Sequence, residues 1–270
     1  MNLHRTLLPL ITLFSLSGCG SATVAESIAN AHYTNPVERY SHFALGKPHE
    51  YATLIATTLS GRTLTLQLPD DEVFEDLMPR LVKLAAKEPQ AILAIVSQAD
   101  SGARLVLIQP QDGILAISAQ SPAIGMPNRW LNPVAVADLD GDGRAEISAV
   151  ITPHIGGTLK IYRKNGKRLI EVASLGGFSN HAYGTPELNL STSFSVSGRT
   201  YLLVPDTTRQ QLRIIALEND RLVEAGHCAL PAPITGPIKV ISALEVSVVT
   251  LGGIHTIAPS RCLKQAVYLA

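Results

Sequence analysis

Four carboxylates fall at positions 1, 3, 5 and 9 of the nonapeptide Asp138-Leu139-Asp140-Gly141-Asp142-Gly143-Arg144-Ala145-Glu146. Gly141 and Gly143 stand between them and permit the backbone to curl, so that the acids converge. A convergent set of hard oxygens suits Ca²⁺, which takes about 6–8 oxygen ligands with tolerant geometry. Asp138, Asp140, Asp142 and Glu146 are the expected side-chain ligands, and the carbonyl of Arg144 the expected backbone ligand. The competing reading is an acidic turn without an ion, which like-charge repulsion at this density disfavours.

The flanks decide what kind of loop this is. An EF-hand needs a bidentate acid at its twelfth position, reached as a helix begins. Here that position is Ala149, inside the β-branched run Ile147–Ile151 that reads as a strand, and Val134–Ala137 reads as another. A strand–loop–strand calcium site with this nine-residue pattern resembles the FG-GAP (VCBS) repeats of integrin-α-like β-propellers. The close match covers about 20 residues. Asn128-Arg129-Trp130-Leu131-Asn132-Pro133 ahead of the loop, and Pro153-His154 and Ser179-Asn180-His181 behind it, are similar to a bacterial envelope subgroup of that family. The wider likeness runs from Ser121 to Gly184, and more loosely over Tyr40–Leu77. It implies a fold and a compartment, not an activity.

Other chemistry is sparse. Gly177-Phe178-Ser179-Asn180-His181 lacks the closing glycine of a nucleophile elbow, and His49-Glu50 is followed by Thr53 where a zincin needs its second histidine. Arg129, Trp130, His154, Asn180 and His181 remain, all in expected loops, where function usually sits. They read either as a rim gripping an anionic or glycan ligand or, more simply, as packing and polar loop residues. His32, His42, His49, His227 and His255 show no ligand spacing.

These residues must be positioned by short strands, which recur as a unit: strand, loop, strand, turn, strand. First-strand anchors fall at Tyr51, Ile92, Ile147, Tyr201 and Val246, spaced 41, 55, 54 and 45 residues apart. Such periods fit propeller blades. The expected fold is all-β: a β-propeller of about five blades, each a three- to four-stranded antiparallel sheet. A sixth follows if Cys19–Phe43 or Leu188–Val196 contributes strands. Val73–Leu77 is an expected strand leading into an irregular or briefly helical connection, since Pro79 interrupts its helical spacing. Leu263–Tyr268 is the expected last strand. The acidic loop does not repeat, so one calcium site is expected.

The chain opens with an export signal. Arg5 and the short apolar run Leu7–Leu16 precede Leu16-Ser17-Gly18-Cys19, which resembles a bacterial lipobox. The resemblance implies that residues 1–18 are removed, that Cys19 carries the lipid, and that 19–40 form a lipidated tether ahead of a domain over 41–270. Gly20 stands where an Asp would retain an enteric-type lipoprotein at the inner membrane, so the outer membrane, facing the periplasm, is expected. Removing 1–18 takes one arginine and no acid, leaving 21 basic against 22 acidic residues. That near-neutral balance argues against nucleic acid. The cluster Lys160, Arg163, Lys164, Lys167 and Arg168 reads as a solvated hairpin face. Cys228 and Cys262 are left either as a disulfide, which the envelope permits, or as two buried thiols. The expected function is a lipid-anchored, non-enzymatic module binding an envelope protein or glycan. The alternative is an envelope polysaccharide hydrolase or lyase using His181 and Arg129.

Overall fold

The computed structural model describes residues 26–264, which hold nineteen β-strands, one short 3-10 turn (Pro259–Cys262) and no α-helix. The strands fall into antiparallel groups that follow the chain. β1 (Ile28–Pro36), β2 (Tyr51–Thr58) and β3 (Thr63–Gln67) form the first, with β2 central. β4 (Glu72–Phe74) and β5 (Arg80–Val82) lie along opposite ends of β6 (Ala91–Gln98), which continues to β7 (Gly102–Gln111) and β8 (Ile114–Gln120). β9 (Leu131–Ala137), β10 (Glu146–Ile151), β11 (Gly157–Asn165) and β12 (Arg168–Phe178) form a meander. So do β13 (Thr192–Val196), β14 (Arg199–Pro205), β15 (Gln211–Glu218) and β16 (Arg221–Ala229). β17 (Ile234–Val240), β18 (Val246–Thr250) and β19 (Gly253–Ile257) close the series.

The first three groups join into one twelve-stranded sheet, and the last two stand as sheets of four and three strands. The joints are narrow: Tyr51 opposite Phe74, and a single parallel pairing of Gln120 with Arg168.

Burial on both faces explains the continuous apolar runs. In β6, Leu93 and Ile95 enter a core shared with β9–β12, while Ile92, Ala94 and Val96 enter a core shared with β1–β3. In β10, Ile147, Ala149 and Ile151 face the β6–β8 side, while Val150 faces β14 and β15. Leu203 and Ile214 face the last group across a fourth core. Each successive pair of groups thus shares a hydrophobic layer, and alternate residues of one strand serve two layers.

The five anchors hold as strands, but each is preceded by another strand: β1, β5, β9, β13 and β17 pair with β2, β6, β10, β14 and β18. Strands therefore occur within Cys19–Phe43 and Leu188–Val196, where they complete existing groups. Two expectations are corrected. Ile28–Pro36, read as part of the tether, is a paired strand. The expected strand Val73–Leu77 is cut to Glu72–Phe74, and Arg80–Val82 is a strand where an irregular or helical connection was expected. The 3-10 turn ends just ahead of the expected last strand Leu263–Tyr268, and Leu263 at its start makes an isolated bridge to Gly226; the rest of that strand, residues 265–270, lies outside the described residues, as do the expected leader and Cys19.

Candidate metal centre

The acidic nonapeptide links β9 to β10, whose ladder closes on the pair Ala137–Glu146. Gly141 and Gly143 take φ of 83° and 86°, a left-handed backbone that other residues resist. The loop curls around Asp138, whose two oxygens accept the amides of Gly141 at 2.7 Å and Gly143 at 2.9 Å. Leu139 is buried in the layer shared with β14 and β15 and pins the loop to the sheet. At the far side the Ala145 amide donates to the Leu84 carbonyl at 2.7 Å, and the Arg144 guanidinium pairs with Glu88 at 2.9 Å.

Asp138, Asp140 and Glu146 each place a carboxylate oxygen within 4.8 Å of the others. Oxygens on opposite sides of one Ca²⁺ stand about 5 Å apart, so this set can share a single ion. The three acids fit a hard divalent cation. Asp142 does not join them; it is exposed, and its carboxylate accepts the Arg144 amide at 2.7 Å. Glu146 is 1% exposed, accepts the Leu139 amide on Oε2 at 2.9 Å, and is the buried floor of the cluster.

The largest departure from the sequence reading is Arg163. Taken as one cation of a solvated face, it reaches into the acidic loop. Its Nε donates to Glu146 Oε1 at 2.8 Å, its Nη2 to Asp140 Oδ2 at 2.5 Å, and its Nη1 to Asp220 Oδ1 at 2.6 Å. The bond to Glu146 is the main reason its pKa rises above the ordinary arginine range. The available signal was register: Ile147 faces Tyr162, so one step along the ladder sets Glu146 across from Arg163. Asp220 sits in the β15–β16 turn, and no sequence pattern announces that contact. Lys160, by contrast, pairs outward with Glu171 at 2.8 Å.

The five rim candidates lie near one another; Trp130, Asn180 and His181 are buried, whereas Arg129 and His154 are partly exposed. Trp130 is 1% exposed and donates its indole N–H to the Glu75 carbonyl at 2.9 Å. Asn180 is fully buried, bonded to the Asn132 carbonyl and to Ser191 Oγ. His181 is buried, with Nε2 at 2.9 Å from the Thr185 carbonyl and Nδ1 at 2.7 Å from His154 Nε2. A carbonyl only accepts, so His181 Nε2 carries the proton, and its Nδ1 accepts from His154 Nε2–H. Burial lowers the pKa of His154 to about 3, helped by neighbouring His181. Burial lowers that of His181 to about 4, against the opposing hydrogen bond to Thr185. Trp130 stacks on His154 with ring centroids 5.9 Å apart. Arg129 is half-buried, and its Nη1 donates to the Asn128 carbonyl at 3.0 Å.

A cavity of about 170 Å³ opens beside Arg129, Trp130, His154, His42 and Tyr183; His181, Asn180 and every carboxylate are absent from its walls. Glu75, the acid bonded to His42 at 2.8 Å, is fully buried behind that ring and also takes Ser97 Oγ and the Ala44 amide.

Cys228 and Cys262 are disulfide-bonded, S–S 2.07 Å, tying β16 to the 3-10 turn. No family model and no curated protein matches this chain.

Proposed function

We propose that this chain is a lipid-anchored β-propeller of the bacterial cell envelope, facing the periplasm from the outer membrane. It uses one Ca²⁺ for architecture and binds an envelope protein or glycan without catalysis. The single observation that carries the reading is the Asp138–Asp140–Glu146 cluster, three hard donors within one ion's reach at a strand-to-strand loop. Bound there, Ca²⁺ would neutralise the acids and cross-link the end of β9 to the start of β10. The residues do the rest: the Gly141 and Gly143 amides orient Asp138, and Leu139 holds the loop to the sheet.

The propeller reading is supported by the chain-order stacking of antiparallel groups with an apolar layer between each pair. The lipid anchor rests on Leu16–Cys19. The hydrolase or lyase alternative is disfavoured, because His181 is held by Thr185 and His154 away from the cavity, and no carboxylate lines that cavity.

The test is a pulldown from envelope extract with the soluble chain starting at Gly20, paired with fractionation of the full-length Cys19→Ser variant. The reading expects a partner retained in Ca²⁺ and lost in chelator, and release of the variant from the membrane fraction. Capture that is equal with and without Ca²⁺, or membrane retention of the variant, contradicts it.

A further inference from the structure

We propose that Arg163 is a built-in counter-cation of the acidic loop: it holds Asp140 and Glu146 in the ion-free protein, yields them when a divalent cation arrives, and so sets the ion concentration at which the loop fills. The inference rests on the calcium reading above and names a regulator of that site.

Two of the three carboxylates that can share an ion, Asp140 and Glu146, are the two that Arg163 binds. Glu146 shows why a cation is needed even without metal. It is buried, and a single amide from Leu139 does not neutralise a carboxylate removed from water. Arg163 supplies that charge, its planar guanidinium spreading three donors over Glu146, Asp140 and Asp220.

A divalent ion among the same oxygens would stand a few ångströms from the guanidinium. Two cations so close repel, and each takes acceptor capacity the other needs. Asp220 then matters. It lies 60% exposed at the mouth of the site, in a turn where Asn219 and Asp220 both take positive φ, and it already binds Nη1. Arg163 can withdraw toward Asp220 and stay paired. The exchange takes Arg163 from three carboxylates to one, and it changes the link between the acidic loop and the β15–β16 hairpin.

The experiment is a calorimetric Ca²⁺ titration, with melting curves in chelator, of the wild type, Arg163→Gln, Arg163→Lys and Lys160→Gln. Lys160 has the same charge on the same strand but pairs with Glu171, so its variant reports the general field alone. Arg163→Gln is expected to bind Ca²⁺ at least about tenfold more tightly than wild type, the effect of removing a close like charge. It is also expected to melt lower in chelator. Arg163→Lys, which keeps a mobile charge without the planar guanidinium, falls between them and carries the test if the glutamine variant does not fold without ion. Lys160→Gln should match wild type. Unchanged or weaker affinity in both Arg163 variants overturns the proposal, as does equal tightening in Lys160→Gln. No Ca²⁺ binding by any of the four proteins overturns the calcium reading itself and the proposal with it.

Discussion

At the scale of single residues, three of the loop's four carboxylates gather within reach of one another, and Asp142 turns to the Arg144 amide. Asp138, Asp140 and Glu146 could be read as a group because nine consecutive residues contain them. Asp142 shared the spacing, but local backbone geometry turned it away. Arg163 and Asp220 were hidden because their roles arise from pairing across a ladder and between sheets. Of the two readings of the rim residues the simpler one, packing, fits Trp130, Asn180 and His181, which are sealed by neighbours; polarity and loop position alone do not reveal burial. The histidine pair makes a direct prediction. His154 and His181, with pKa values lowered to about 3 and about 4, should stay neutral at pH 5. In the unfolded chain both would titrate near about 6.5, so unfolding takes up protons below that pH, and stability falls as pH drops from about 6.5 toward about 4. NMR titration of the imidazole resonances checks this; a midpoint near the ordinary value for either ring would show that the pair is not held as described.

At the scale of elements, strands buried on both faces were legible, as was β9 through Val134–Ala137, whereas the other strands that precede an anchor were not. β6, β10 and β14 are continuous apolar runs because they feed two cores each. β17 contains Pro237, and β1 and β13 are polar and partly exposed, so each lacks the alternation or continuity that marks a strand; in β9 only the start, ahead of Pro133, was unmarked. Tertiary pairing to an anchor strand, not local propensity, makes them strands. Close packing at a strand start gives an element-scale prediction. A Cβ on Gly157 would lie 2.1 Å from the Phe178 carbonyl oxygen and 2.8 Å from Val150 Cγ1, whereas one on Gly176 in the neighbouring strand meets nothing within 4 Å. Gly157→Ala should cost about 1–3 kcal/mol by overpacking, and Gly176→Ala should stay within about 0.5 kcal/mol of wild type. Denaturant melts decide it; equal effects would mean that the β11–β12 register is not the one described.

At the scale of the molecule, the groups stack in chain order, and the layers between them carry most of the apolar burial. Such an arrangement places local demands on its seams. The acidic loop sits at one of them, with Arg163 reaching from the twelve-stranded sheet to the β15–β16 turn. The disulfide ties another, crossing from β16 to the segment after β19. A cation at the loop would strengthen its seam in the way any ligand of the folded state does, by about 2.7 kcal/mol at a hundredfold excess over its dissociation constant. The most direct measurement is therefore a pair of melting curves of the soluble chain, in Ca²⁺ and in chelator, repeated for Asp140→Ala. The account predicts a lower melting temperature in chelator for wild type and superimposable curves for the variant. Superimposable curves for the wild type would contradict it.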